Sequence, residues 1–286
     1  MTQLLNALPG ALAQGLIWGV MAIGVYITYK VLDIADLTVD GSICTGAAVC
    51  TMLLLGGQSP WLALLCAVLA GVLAGAVTDL LHVGLGIPPI LAGILTQMVL
   101  WSVNLKLLGK ANQALPARTT PVLLSQMDVG GALPVLLGFC VVLVALLVLF
   151  FGTELGCALR ATGCNPVMSR AQGVNTGLMK IIGLALSNGV VALSGALLCQ
   201  YQGYTDVNMG RGAVVIGLAA VVIGQAVLGR RGGRMAVQLG GVILGAVIYY
   251  IVYQVIIFAG FDTDLLKMFS AVVVAVFLGA PHVKAQ

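Results

Sequence analysis

Charge is what this sequence lacks most. Only 8% of its 286 residues are Asp, Glu, Lys or Arg, 60% are hydrophobic, and the mean hydropathy is +1.12. A soluble domain carries about 25% charge, so a water-solvated globular fold is excluded. Histidine is nearly absent: His82 and His282 are the only two, both near the ends of apolar segments. A Ser–His pair inside the apolar segments and an H-E-x-x-H metal site are therefore excluded, and no G-x-S-x-G elbow is present. The P-loop pattern G-x-x-x-x-G-K-[ST] also fails, because Gly109-Lys110 is followed by Ala111 and position 104 is Asn. These gaps argue against an enzyme, and against ATP hydrolysis on this chain. The seven cysteines form no C-x-x-C pair and sit mostly inside apolar runs; they read as small buried apolar residues, not metal ligands or disulfides. A net charge of +4 is too small to suggest nucleic acid. No Lys or Arg precedes Lys30, so the first apolar run lacks the basic leader of a secretory signal and reads as a span.

What is present is a succession of apolar runs. A membrane-spanning helix needs about 20 apolar residues, whereas a membrane barrel has shorter alternating segments, and no such alternation is found. Nine spans are expected, over 8–30, 36–57, 61–82, 87–108, 132–152, 177–200, 213–229, 235–259 and 265–280. The second and seventh are the least sharply bounded. Arg160, Arg170, Lys180, the turn "GRRGGR" with Arg230, Arg231 and Arg234, and Lys284 all fall on one side of a nine-span chain. Basic loops mark the cytoplasmic side, so the N-terminus is expected outside and the C-terminus in the cytoplasm. Asp128, Asp206, Asp262 and Asp264 fall outside, together with Lys106, Lys110, Arg118, Arg211 and Lys267. The longest outer loop, 109–131, reads either as a docking surface or as a disordered connector. Three G-x-x-x-G pairs, Gly15/Gly19, Gly71/Gly75 and Gly241/Gly245, are expected to pack helices within the chain.

Polar islands interrupt this pattern. In "LRATGCNPVMSRAQGVN", Leu159 to Asn175, Asn165 suits a helix N-cap, Pro166 the first helical position and Gly173 a left-handed terminator. The result is a helix of about two turns, roughly 10 Å long. Alone it would be unstable, so the ends of the spans must hold one face and leave the other for a partner. A second island, "LDIADLTVDGS", places Asp33, Asp36, Asp40, Thr38 and Ser42 against an apolar run without a break. It reads either as a hydrated loop or as a half-helix entering the membrane, the device from which transporters build central sites. A third, "DVNMG" from Asp206 with Asn208, echoes Asp36–Gly41 from the opposite side, as an inverted repeat would. Thr96, Gln97, Ser102, Asn104, Ser187, Asn188 and Ser194 lie within spans; such groups more often bridge helices than touch solute. Gln97 and Asn188 join Asp36, Thr38, Asp40, Ser42, Asp206 and Asn208 as candidates for the translocation path.

With these motifs in view, "TELGCALRATGCNPVMSRAQGVNTGLMK" resembles the cytoplasmic loop of permeases in the ribose and branched-chain amino acid class of bacterial ABC importers. Gly156, Arg160, Ala161, Gly163, Asn165, Pro166, Gly173, Val174 and Asn175 match the pattern, while Cys157 and Ser169 depart from it. "IADLTVDGS" and "FDTDLLKMFSAVVVAVFL" are similar to a small-solute subgroup of these permeases. The resemblance implies an all-α fold: one polytopic transmembrane domain over 1–286, about eight or nine membrane helices with at least one broken helix, and an inverted repeat. It implies that 153–176 is a cytoplasmic loop whose coupling helix, with Arg160, Gly163, Asn165, Pro166, Met168, Arg170, Gly173 and Val174, contacts a separate ATPase subunit. It further implies a bacterial inner-membrane homodimer, a solute-binding protein outside, and no cofactor on this chain, with ATP and Mg held by the ATPase. An ion-coupled secondary transporter with discontinuous helices is the alternative; it would not need the capped helix.

Overall fold

The computed structural model describes residues 2–116, 120–228 and 234–258. The segment 265–280, the arginines at 230 and 231, Arg118, the acids at 262 and 264, Lys267, His282 and Lys284 lie outside the described residues. Ten helices are present among those described: α1 (Thr2–Tyr26, continued by a π-helical turn Ile27–Val31), α2 (Val39–Leu55), α3 (Pro60–Asp79, continued by a π-helical turn Leu80–Gly84), α4 (Pro89–Leu108), α5 (Val129–Phe151), α6 (Glu154–Cys164), α7 (Pro166–Ala171), α8 (Thr176–Gln202), α9 (Ala213–Leu228) and α10 (Met235–Phe258). Six spans, along α1, α3, α4, α5, α8 and α10, are long and apolar enough to cross a membrane; α2 and α9 are apolar but shorter. These two short helices are the second and seventh runs, whose bounds the sequence left loose.

Local chemistry sets the helix ends. Ser59, Asp128, Thr153, Asn165 and Asn175 each accept a backbone N–H from the first turn of the helix they precede. Such caps satisfy donors that the helix itself leaves free. Gly109 and Gly203 end α4 and α8 in the left-handed conformation.

Contacts sort the helix ends onto two faces. At one, the C-terminal end of α1 meets α6 and the start of α10 in a cavity lined by Tyr26, Lys30, Arg160 and Gln238. There too Lys180 at the start of α8 lies 3.3 Å from His82 at the end of α3. At the other face the ends of α2, α4 and α8 gather. Two three-residue strands, β1 (Asn112–Ala114) and β2 (Tyr204–Asp206), pair antiparallel there with Gln113 opposite Thr205. The fold is thus the expected all-α one, with one small ribbon outside the helices. The ribbon also resolves the loop 109–131: Leu115 N–H donates to Gly203 O, Leu123 N–H to Gln200 Oε1 and Gln126 N–H to Tyr201 O. Where described, this loop is stitched to the end of α8 and is not a free connector.

Burial is inverted relative to a soluble protein. α1 and α8 form the interior, while α3, α4 and α5 turn rows of large apolar side chains outward, among them Leu65, Leu69, Leu73, Met98, Val141 and Leu149. Since lipid is as apolar as these side chains, helices gain by close fit instead. All three G-x-x-x-G pairs do this within the chain. Gly15 and Gly19 face Val247 and Ile243 of α10, Gly71 and Gly75 face the Asn188 and Leu184 carbonyls of α8, and Gly245 faces the Ala220 carbonyl of α9. A Cβ on Gly75 would collide with backbone, whereas one on Gly84 meets nothing within 4 Å. Gly75→Val should therefore force α3 from α8 at a cost of about 1–3 kcal/mol or more. The expected readout is a lower thermal midpoint in detergent by fluorescence-detected gel filtration, with Gly84→Val unchanged; equal midpoints would contradict this packing.

Candidate functional site

Two polar clusters stand out, the first buried and the second part-exposed beside a cavity. The first begins where α1 ends. Residues 32–38 form no helix, and their carboxylate Asp36 is buried. Asp36 Oδ1 accepts the Thr38 N–H at 2.8 Å and Oδ2 accepts the Asn188 amide at 2.7 Å. Asn188 Oδ1 in turn accepts the Ser42 hydroxyl at 2.6 Å, and the Thr38 hydroxyl lies 2.9 Å from that of Thr78. Asn188 lies twelve residues beyond Thr176, hence about 18 Å into α8 at 1.5 Å per residue. The non-helical segment therefore reaches deep among the helices. Irregular backbone at that depth is tolerated only when protein or a cavity satisfies it, which is the work of Asp36 and Thr38. The hydrated-loop reading fails for Asp36; Asp33, exposed and at φ +56°, fits it.

The second cluster is where the two short helices meet. α2 starts from this embedded loop, and α9 starts after β2 at the opposite face. Asp40, in the first turn of α2, accepts the Gly212 N–H at 2.9 Å on Oδ2 and the Val214 N–H at 3.0 Å on Oδ1. A side chain of one broken helix thus caps the other, a placement that the positive end of a helix favours. The backbones touch: a Cβ on Gly210 would overlap the Asp40 carbonyl. The motif echo has a geometric counterpart, since Asp206 Oδ1 accepts the Asn208 N–H at 2.6 Å, two residues on, as Asp36 does with Thr38.

Beside this junction lies a cavity of about 520 Å³ lined by Asp40, Cys44, Gln97, Trp101, Asn104 and Arg211 among others. Of the candidate path residues, Asp40 and Gln97 line it. Asp36, Thr38, Ser42 and Asn188 are instead in the buried network behind it. Asp206 and Asn208 flank Val207 at its edge, where the Trp101 indole N–H donates to Asn208 Oδ1 at 3.4 Å. Trp101 and Arg211 were missed as path candidates, and Asn104 was read with the in-span polar groups that more often bridge helices. Asn104 is fully buried and neither amide atom hydrogen-bonds a protein group among the described residues; the same holds for both carboxylate oxygens of Asp79 on α3. Nothing in sequence spacing distinguishes such an orphan from a helix-bridging Asn. Groups of three or more residues able to hold a metal are absent among the described residues.

The capped helix is also present, with different bounds. α7 is six residues long and follows an eleven-residue α6, so the segment 153–176 is two helices, not a loop with one. Asn165, Pro166, Met168 and Arg170 fall on or cap α7. Asn165 Oδ1 accepts the Val167 and Met168 N–H groups at 3.1 and 3.0 Å. Gly173, at φ +82°, and Val174 form the exit turn, with Val174 N–H donating to Ser169 O. Arg160 and Gly163, expected on the docking helix, lie on α6 instead, because the helix continues to Cys164 before Asn165 breaks it. Gly163 packs directly on the Val31 carbonyl. One face of α7 is anchored by buried Ser169 and by Arg170 Nε donating to Thr176 Oγ1 at 2.8 Å. The other carries Val167 and Met168, 76% and 62% exposed.

A polytopic helical bundle with broken helices meeting beside a cavity, and an apolar-tipped helix at one face, is an architecture suited to a membrane transport subunit. Residues 8–280 match the family model of the permease component of the branched-chain amino acid transport system, and the chain belongs to that family. Over 277 residues it is 38% identical to a tyrosine transport system permease protein of Clostridioides difficile, covering 96% of this chain and 91% of the relative. It is 33% identical over 279 residues to an uncharacterised protein of Rickettsia prowazekii, covering 96% and 98%. An autoinducer 2 import system permease protein of Escherichia coli is 30% identical over 216 residues, 72% of this chain and 60% of the relative. No solved structure matches. The chain is accordingly a multi-pass permease component of an ABC-type system for small solutes, a transport and not a catalytic subunit.

The two clusters separate experimentally. Asn188→Leu removes a donor from buried Asp36 and strands Ser42, so stability should fall by about 1.5–3 kcal/mol. Asn104→Leu removes an unpaired buried amide, which ought to leave the thermal midpoint equal or higher. If Asn104 serves the solute, uptake in that variant drops at least tenfold; full uptake removes it from the path.

Proposed function

We propose that this chain is the membrane-spanning half of an ATP-driven importer, and that α7 is the helix through which an ATPase subunit drives it. The observation that carries this reading is the construction of α7. A six-residue helix, capped at both ends and bolted to α8 by Arg170, presents Val167 and Met168 to the outside. Exposed apolar side chains on so short a rigid element suit a groove on a partner. ATP and Mg would sit on that partner. Lys30, Arg160, Arg170, Lys180 and Arg234 cluster on the α7 side; basic excess supports that side as cytoplasmic. The N-terminus then lies outside, and the described part of α10 ends outside, leaving the C-terminus cytoplasmic if 265–280 spans as expected.

On this reading the solute path runs past the junction of α2 and α9 and the cavity beside it. The α4 wall, with Met98, Trp101 and Ser102, is exposed, which favours completion of the path by a second copy of the chain. The β1–β2 ribbon and its loop offer the docking surface for a solute-binding protein. Arg211 and the Trp101 indole in the cavity wall suit a small solute bearing a carboxylate and an apolar group. The name of the tyrosine transport relative agrees with an amino acid as that solute.

The test is uptake by cells expressing the chain with its ATPase and binding protein, and with each omitted. An importer transports only with the full set; uptake driven by an ion gradient without the ATPase would replace this reading with a secondary transporter. Within the full set, Asn165→Leu or Gly173→Val should cut solute-stimulated ATPase activity at least fivefold while the chain still inserts. Met168→Asp should also weaken copurification of the ATPase. Normal transport by all three variants refutes the docking role of α7.

A further inference from the structure

A second cavity, of about 480 Å³, lies at the α7-side ends of the spans, between α1, α6 and α10. Its wall holds Tyr26, Lys30, Arg160 and Gln238. It adjoins a smaller cavity of about 330 Å³ that shares Lys30 and contains Asp33. The architecture is specific. The π-helical turn at 27–31 carries Lys30 at the end of α1, and the Gly163 contact with the Val31 carbonyl brings α6, and with it Arg160, against that end. The Tyr26 hydroxyl donates to Gln238 Oε1 at 2.6 Å, closing the floor between α1 and α10. Lys30 and Arg160 have no hydrogen-bond or ion-pair partner among the described residues. Asp33, exposed in the adjoining cavity, is the single acid there, so two cations face one anion across the pair of cavities.

We propose that this cavity binds the phosphate headgroup of an anionic phospholipid from the leaflet on the α7 side. The inference does not depend on what the chain transports. Basic pockets between membrane helices at this level hold anionic headgroups. Arg and Lys supply the two modes of phosphate contact, a planar fork and a point charge. A lipid suits the site better than a protein partner, because Tyr26 and Gln238 lie a turn inside their spans and the cavity shares no residue with α7. Bound there, the headgroup bridges α1, α6 and α10, and so ties the docking hairpin to the bundle.

Native mass spectrometry of the detergent-purified full chain tests this, using phosphatidylglycerol and phosphatidylcholine of identical acyl chains. The wild type should retain phosphatidylglycerol at least fivefold over phosphatidylcholine. The double variant Lys30→Gln/Arg160→Gln should lose that preference, while Lys30→Arg/Arg160→Lys keeps it and so controls for folding. Lys106→Gln/Lys110→Gln, at the opposite ends of the spans, should leave it intact. An undiminished preference in the first double variant overturns the proposal. So does displacement by inorganic phosphate at equal concentration, which would assign the site to a soluble anion. Loss of the ATPase with retained lipid selectivity would assign it to the protein partner and equally overturn it.

Discussion

The structure depends on satisfying backbone groups where helices stop inside the bundle. Lipid offers no hydrogen bonds, so every helix end buried there must find its partners in the protein. α2 and α9 both begin inside, from opposite faces. Their first turns carry free N–H groups and the positive end of a dipole. Asp40 meets this need for α9 with both carboxylate oxygens, and Asp36 meets it for the loop before α2. The broken helices are therefore interdependent: α9 is held by a residue of α2. Neither helix can withdraw without leaving donors unpaired at a cost of several kcal/mol per group.

This constraint also explains the glycines. To let one broken helix cap another, backbones must approach to contact, and Gly210 lies against the Asp40 carbonyl, Gly195 against that of Ile43 and Gly46 against that of Ala192. Each lies where α2 meets α8 or the start of α9. The polar network around Asp36 and Asn188 can be so tight because no side chain stands between the helices. Packing and polar satisfaction are one problem here, solved by the same small residues.

How much of this was legible in the sequence follows from the range of each interaction. Span positions were legible because twenty-residue apolar runs are local. Caps at Asn165 and Gly173 were legible because capping acts within four residues. The bounds of α6 and α7 were not: Gly163, expected on the coupling helix, sits inside α6, where the Val31 carbonyl leaves no room for a side chain. The pairing of β1 with β2 joins residues some ninety positions apart, and three-residue strands carry no periodicity. Asp36 could not be separated from Asp33 by sequence, since both precede apolar residues; only the 152-residue separation between Asp36 and Asn188 decides which is buried. Trp101 and Arg211 became visible only once α4 was set beside the turn that precedes α9.

The same geometry connects α7 to the interior. α7 continues from α6, and α6 touches the end of α1 at Gly163 and Val31, with the Leu32 side chain packed on Gly183 of α8. Five residues beyond Val31 stands Asp36, and four beyond that Asp40, which holds α9. On the proposed reading, a push on α7 reaches the cavity through backbone contact followed by nine residues of chain, with no long chain of side chains between. Such a route transmits displacement because its elements are rigid where they touch. The embedded loop between them has irregular backbone, tied to the end of α1 by the Ile34 N–H on Thr28 O and to α8 by Asp36 on Asn188. On that reading it is the loop that must move for the push to reach Asp40, since Asp36 is held by single side-chain hydrogen bonds and not by a helical ladder.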